Sequence, residues 1–185
     1  PLIELLAGIP SVVYGFFGLI IIVPFIQNLF NLPVGETALA GSIVLGIMAL
    51  PTIITISEDA IRTTPRTMKE ASLALGANKW QTIARVIIPY SMSGITAAAI
   101  LGIGRAIGET MAVLMVTGNA AVIPHSILEP VRTIPATIAA ELGEAPQGGL
   151  HYKALFALAC ILFIITMAIN LFVEYISSKR KLGKR

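Results

Sequence analysis

Residues Arg62–Pro89 read RTTPRTMKEASLALGANKWQTIARVIIP, a patterned and charged stretch set between two long apolar runs. Thr64-Pro65 has the form of a helix start, with Thr64 as the cap and Pro65 at the first helical position. From Arg66 to Leu75, a helix would place Met68, Ala71 and Leu75 on one side and Arg66 and Glu70 on another. Gly76 follows the last helical residue, where a left-handed cap favours glycine. Asn78 to Ile88 then forms a second helical stretch, and Pro89 leads into the next apolar run. The expectation is helix, glycine turn, helix, lying along a surface.

Working outward, four apolar runs are long enough to cross a bilayer, for which about 20 residues are needed. The first, 12–30, is uncharged and contains Pro24; the second, 37–56, is uncharged and has Pro51 near its end. The third, 91–117, is apolar from Ile95 to Thr117 except for Arg105 and Glu109, and the fourth, 154–173, is uncharged. Lipid offers backbone groups no water, so these runs must be helices. Each proline removes one backbone donor and is expected to kink or end its helix. Glycines spread through the runs allow close helix approach. Residues 1–8 form a short amphipathic lead-in. The fold class is therefore all-α and polytopic, a single transmembrane domain over 1–185.

Bulk composition agrees. The 185 residues are 56% hydrophobic and 12% charged, with a mean hydropathy of +0.85; soluble domains carry about 25% charged residues. The net charge of +3 is a matter of topology. Arg62, Arg66, Lys69, Lys79 and Arg85 lie in the 57–89 loop, and Lys179, Arg180, Lys181, Lys184 and Arg185 form the tail, together ten of 13 basic residues. Basic loops stay in the cytoplasm. The 57–89 loop and the C-terminus are thus expected there, with the 31–36 turn and the 118–151 loop outside. Nucleic acid is excluded as a partner, and membrane lipid is the expected surround. Within the outer loop, Thr133–Leu142 reads as a short helix lying at, or partly re-entering, the outer surface. Cys160 is a lone thiol in an apolar run, and His125 and His151 are surface residues of the outer loop, so no metal site is expected. No G-x-x-x-x-G-K-[ST] run occurs, and the only Gly-Lys pair is Gly183-Lys184, so the chain is not itself an ATPase.

Arg105 and Glu109 are the charges inside the third run. On a continuous helix they stand one turn apart on one face. A lone charge at that depth costs roughly 2.5–3.5 kcal/mol or more, so the two would neutralise each other and face the protein interior. Two readings stand open: a structural ion pair, or a translocation path in which Arg105 binds an anion in bidentate fashion and Glu109 holds it between passages. Thr110 and Asn119 would add hydrogen bonds to that path or bond backbone carbonyls. Glu58 and Asp59 would form a gate ion pair with Arg62 or a helix-end salt bridge. No catalytic cluster is visible, so the chain is read as no enzyme.

Glu70-Ala71-Ser72, three residues, Gly76, nine residues, Val86, one residue, Ile88-Pro89 is similar to the EAA loop of ABC importer permeases. That pattern is EAA, three residues, Gly, nine residues, Ile, one residue, Leu-Pro, and Ser72, Val86 and Ile88 depart from it conservatively. The runs IPSVVYG (Ile9–Gly15), LPTIITISEDA (Leu50–Ala60), EASLALGANKW (Glu70–Trp80) and GRAIGETMAV (Gly104–Val113) extend the resemblance to PstC-type phosphate permeases. The resemblance implies a type I importer (MetI-like) fold whose coupling residues Glu70, Ala71, Ser72, Gly76, Trp80 and Pro89 meet a separate ATPase. It implies a path through Arg105, Glu109, Thr110 and Asn119. It implies a PstA-like second permease, a PstB-like ATPase dimer holding the ATP and Mg2+, and a PstS-like phosphate-binding protein outside. No cofactor is expected on this chain. An N-terminal region with at least one further span is also implied. Molybdate or sulfate importers share the docking loop, and a channel or ATP-independent transporter needs none.

Overall fold

A computed structural model describes residues 3, 6 and 8–182, with side chains as far as Phe172. Most of the 1–8 lead-in, the side chains of Lys179, Arg180 and Lys181, and all of Lys184 and Arg185 lie outside the described residues. Among the described residues, four helices are long and apolar enough to span a membrane: α1 (Ser11–Phe30), α2 (Ala38–Arg62), α4 (Lys79–Ile107) and the first part of α7 (Leu150–Leu182). Three shorter ones connect them: α3 (Arg66–Ala74), α5 (Met111–Val116) and α6 (Ile134–Glu141).

The prolines bend the sequence-based expectation. Neither Pro24 nor Pro51 ends its helix; α2 runs through Pro51 to Arg62. In α1 and α4 a π turn, Gly18–Ile22 and Ile83–Ile87, precedes Pro24 and Pro89 respectively. A wider turn gives the carbonyls facing the missing N–H other geometry to settle into, which is how membrane helices tolerate proline. α1 instead stops at Asn31, whose φ of 50° is left-handed, and the Leu32 amide returns to the Gln27 carbonyl at 3.0 Å. Thr37 caps α2, its buried Oγ1 accepting from the Ala40 amide at 3.2 Å.

Tyr14, Ile22, Val23 and Ile26 of α1 meet Ala40, Val44 and Met48 of α2 and Ala112 and Val116 of α5 in one buried cluster. Hydrocarbon tails are as apolar as these side chains, so close packing rather than escape from water holds the helices. Small residues make the approach possible. A Cβ added at Gly18 would lie 2.6 Å from Val44 Cγ2 and 2.9 Å from Val116 Cγ1. On the other side of α2, α4 packs along its length: Gly94 rests against Ala60 and Gly102 against Ile53. α7 lies at the periphery against α4 and α6, with Phe156, Phe163, Ile164 and Phe172 exposed. Cys160 is exposed there too.

The third run is where the structure departs most from expectation. It begins earlier, at Lys79, as one helix with the second half of the α3 connection, and it ends at Ile107 rather than 117. Gly108, Glu109 and Thr110 break it before α5.

Candidate functional site

The α3 turn is built from capping chemistry. The expected Thr64 cap is not used: Pro65, with ψ 138°, is itself the N-cap, and Thr64 Oγ1 is buried without a partner. A residue preceding proline is pushed out of helical geometry, which turns its hydroxyl away from the first turn. Helix α3 covers Arg66–Ala74 as expected, and Gly76 takes φ +83°. The Gly76 amide donates to the Leu73 carbonyl at 2.9 Å and the Ala77 amide to the Ser72 carbonyl at 3.2 Å. These are the paired bonds of a Schellman ending. Asn78 and Gln81 then form a reciprocal capping box, at 2.8 and 2.9 Å, that starts α4.

The side chains of this turn face two ways. Ser72 is half-buried and its hydroxyl lies 3.0 Å from that of buried Thr82, tying α3 to α4. Ser72 therefore works inside the chain as a strut. Glu70, Ala71 and Pro89 are exposed, and no residue of α3 is buried. Leu75 is 89% exposed and Trp80 80% exposed, with Met68 and Leu73 beside them in sequence also exposed. The firmly capped turn thus carries an exposed apolar rim.

The second site is the break after α4. Arg105 lies in the last turn of α4 and is exposed. The expected Arg105–Glu109 pair does not form among the described residues, because i,i+4 pairing needs a helix and the chain leaves it at Gly108. Glu109 instead turns to α5, where its Oε1 accepts from the Ala112 amide at 3.3 Å. The Thr110 hydroxyl donates to the Gly108 carbonyl at 3.3 Å, the backbone-bonding alternative. Glu58 pairs with Arg62 at 2.6 Å on one exposed face of α2, a helix-end bridge worth a few tenths of a kcal/mol (~0.3–0.5).

Asn119 lies beyond α5 with φ 45°. Its carbonyl accepts from Arg132 Nε at 3.0 Å, and its own Oδ1 is buried without a partner. The Arg132 guanidinium also meets Glu141, which His151 Nε2 approaches to 3.0 Å. Asn119 thus joins a cluster that binds the ends of α5, α6 and α7. Arg132, Glu141 and His151 carry no short-range spacing by which the sequence announces them. Helix α6 forms as expected, with Thr133 as its cap. Among the described residues no group of three His, Cys, Asp or Glu side chains is placed to hold a metal.

Residues 1–182 match the model of the family described as binding-protein-dependent transport system inner membrane component. The chain belongs to that family. It is 42% identical to the probable ABC transporter permease protein YqgH of Bacillus subtilis, over 98% of this chain and 59% of the relative. It is 41% identical to the phosphate transport system permease protein PstC of Mesorhizobium japonicum, covering 94% and 58% of the two chains. The PstC of Haemophilus influenzae is 36% identical, with 98% and 63% covered. The chain therefore spans about three fifths of the length of these relatives. A solved structure of the MetNI methionine ABC transporter, inward facing, superposes with TM-score 0.70 at 20% identity, covering 96% of this chain and 72% of that one. The expected all-α, MetI-like importer permease fold is the fold found. Four apolar helices in a member of an inner-membrane transport family make this a multi-pass membrane protein, and the family is one of transport components rather than enzymes.

Proposed function

We propose that this chain is permease material of an ATP-driven importer that moves inorganic phosphate across the cytoplasmic membrane. The α3 turn and the C-terminus face the cytoplasm, and the 118–151 loop faces outward. A separate ATPase, present as two PstB-like copies that hold the ATP and Mg2+, docks on Glu70, Ala71, Gly76 and Trp80. A PstA-like second permease completes the path, and a PstS-like binding protein delivers phosphate from outside.

The observation that carries ATPase docking is the exposed rim of Leu75 and Trp80 on a turn fixed by a Schellman ending and a capping box. Coupling then follows from continuity. Helix α4 has 29 residues, so it is about 44 Å long at 1.5 Å per residue. It starts at the docking turn and ends two residues past Arg105. Motion of the turn reaches Arg105 through one continuous helix. The break at Gly108–Thr110 leaves irregular backbone in a membrane-spanning chain, which is tolerated where it lines a watery cavity or is covered by protein. Arg105 next to such a break offers a planar fork that matches a phosphate anion. Because the helix ends there, no Glu109 carboxylate competes with the anion from the neighbouring turn. The substrate reading is supported by the names of the PstC relatives.

The test is uptake by the complete importer in proteoliposomes with molybdate and sulfate as competitors. ATP-dependent phosphate uptake that neither competitor displaces is expected. Displacement by molybdate or sulfate would move the assignment to another oxyanion, and flux without ATP would remove the importer reading altogether.

A further inference from the structure

We infer that Asn170 of α7 forms, with Arg105 of α4, the second side of an oxyanion subsite within the membrane. Between Ala154 and Phe172 the side chains are apolar apart from Thr166 and Asn170. Thr166 is self-satisfied, its hydroxyl donating to the Leu162 carbonyl at 2.9 Å. Asn170 has no such outlet: it is exposed, and among the described residues its amide has no hydrogen-bond partner. Leaving an amide unpaired in hydrocarbon is costly. A polar group or water must therefore meet it on the face it presents.

Its position says what that group is. The Asn170 Oδ1 lies 3.8 Å from where a Cβ would stand on Gly104, the residue before Arg105. Apart from the glycine's own stretch of helix, nothing else comes within 4 Å of that point, so the glycine leaves a notch between α4 and α7. Arg105, the next residue in sequence, is exposed, and α4 ends at Ile107, two residues beyond it. With its oxygen turned toward Gly104, the amide leaves its NH2 unpaired. A guanidinium fork and an amide NH2 are both donors, and a tetrahedral oxyanion supplies the acceptors they lack. A neutral donor beside the cation adds contact to the anion without adding charge, in keeping with a site that must release its ligand. This inference rests on the oxyanion-importer reading above and extends it to α7.

The test uses the complete importer in proteoliposomes, with inorganic phosphate as probe and uptake expressed per assembled complex. Asn170→Leu, which suits lipid, is expected to raise the phosphate KM about tenfold. Asn170→Asp is nearly isosteric but sets an anion beside Arg105, so it is expected to impair uptake more than Leu does. Asn170→Gln is expected to recover part of the loss. Uptake per complex equal to wild type in both the Leu and Asp variants would overturn the assignment. So would equal losses per complex in the Leu, Asp and Gln variants, which is what a packing role predicts. If the wild-type complex itself takes up no phosphate, the underlying function is wrong, and that outcome is separate from any effect at Asn170.

Discussion

Replacing Gly76 by alanine isolates the backbone geometry of the docking turn. The residue holds φ +83°, and a Cβ built there meets nothing within 4 Å. Steric contact inside the chain therefore adds nothing to the cost. What remains is the left-handed conformation, about 1–2 kcal/mol for a residue with a Cβ, partly offset by roughly 0.4–1 kcal/mol of lost freedom in the open turn. The net is near 1 kcal/mol, or about a fivefold shift toward the open turn. Asparagine tolerates this conformation better than alanine, so Gly76→Asn should cost clearly less although its side chain is larger. Hydrogen–deuterium exchange in nanodiscs reads the effect at the amides of Gly76 and Ala77, which make the Schellman bonds. Exchange about fivefold faster in the alanine variant and near wild type in the asparagine variant is expected. The affinity of the ATPase should fall in the same order. An asparagine variant as impaired as the alanine one would refute the backbone argument and point to bulk at the partner interface.

Three further outcomes follow from the same geometry. Arg105→Gln should abolish phosphate uptake while the amount of assembled importer is unchanged; wild-type uptake by that variant would remove Arg105 from the path. Gly102→Leu should drive α4 away from Ile53 of α2 and destabilise the chain by about 1–3 kcal/mol, read as a lowered Tm in detergent, and an unchanged Tm would contradict the packing described. In intact cells carrying Cys160→Ser, a membrane-impermeant maleimide should label Ile123→Cys, whose side chain is 84% exposed, but label Ala77→Cys only after permeabilisation. The reverse pattern would invert the topology.

Much of the fold was legible because the strongest signals are local. The four membrane helices follow from apolar length, α3 and α6 from their turn residues, and the left-handed Gly76 from its place after a periodic stretch. The misreadings share a physical cause: the same residue behaves differently once neighbours are present. Of the two outcomes expected at a proline, a kink or an end, the end does not occur: α2 runs through Pro51, and Pro24 and Pro89 sit after π turns, because a membrane helix packed against others can absorb a missing donor. Thr64 loses its capping role to Pro65, whose extended ψ moves the helix start by one residue. The break at Gly108–Thr110 was hidden inside a run that is apolar apart from Arg105 and Glu109, and its sequence trace was the gathering of Gly102, Gly104 and Gly108 around those charges. That break undoes the Arg105–Glu109 pair, which rested on a continuous helix. The Arg132–Glu141–His151 cluster and the approach of Asn170 to Gly104 are tertiary, and no spacing rule reaches them.

The docking turn remains the centre of the account, and Trp80 probes it most directly. Its ring is 80% exposed, so Trp80→Ala should leave the fold intact while removing an aromatic anchor worth about 2 kcal/mol or more, some thirtyfold in affinity. The measurement is the ATPase retained when the variant importer is purified from membranes, with ATP-driven phosphate uptake by the same sample. The account predicts an intact membrane part with little ATPase bound and little ATP-driven uptake. Wild-type ATPase retention together with wild-type uptake would contradict it.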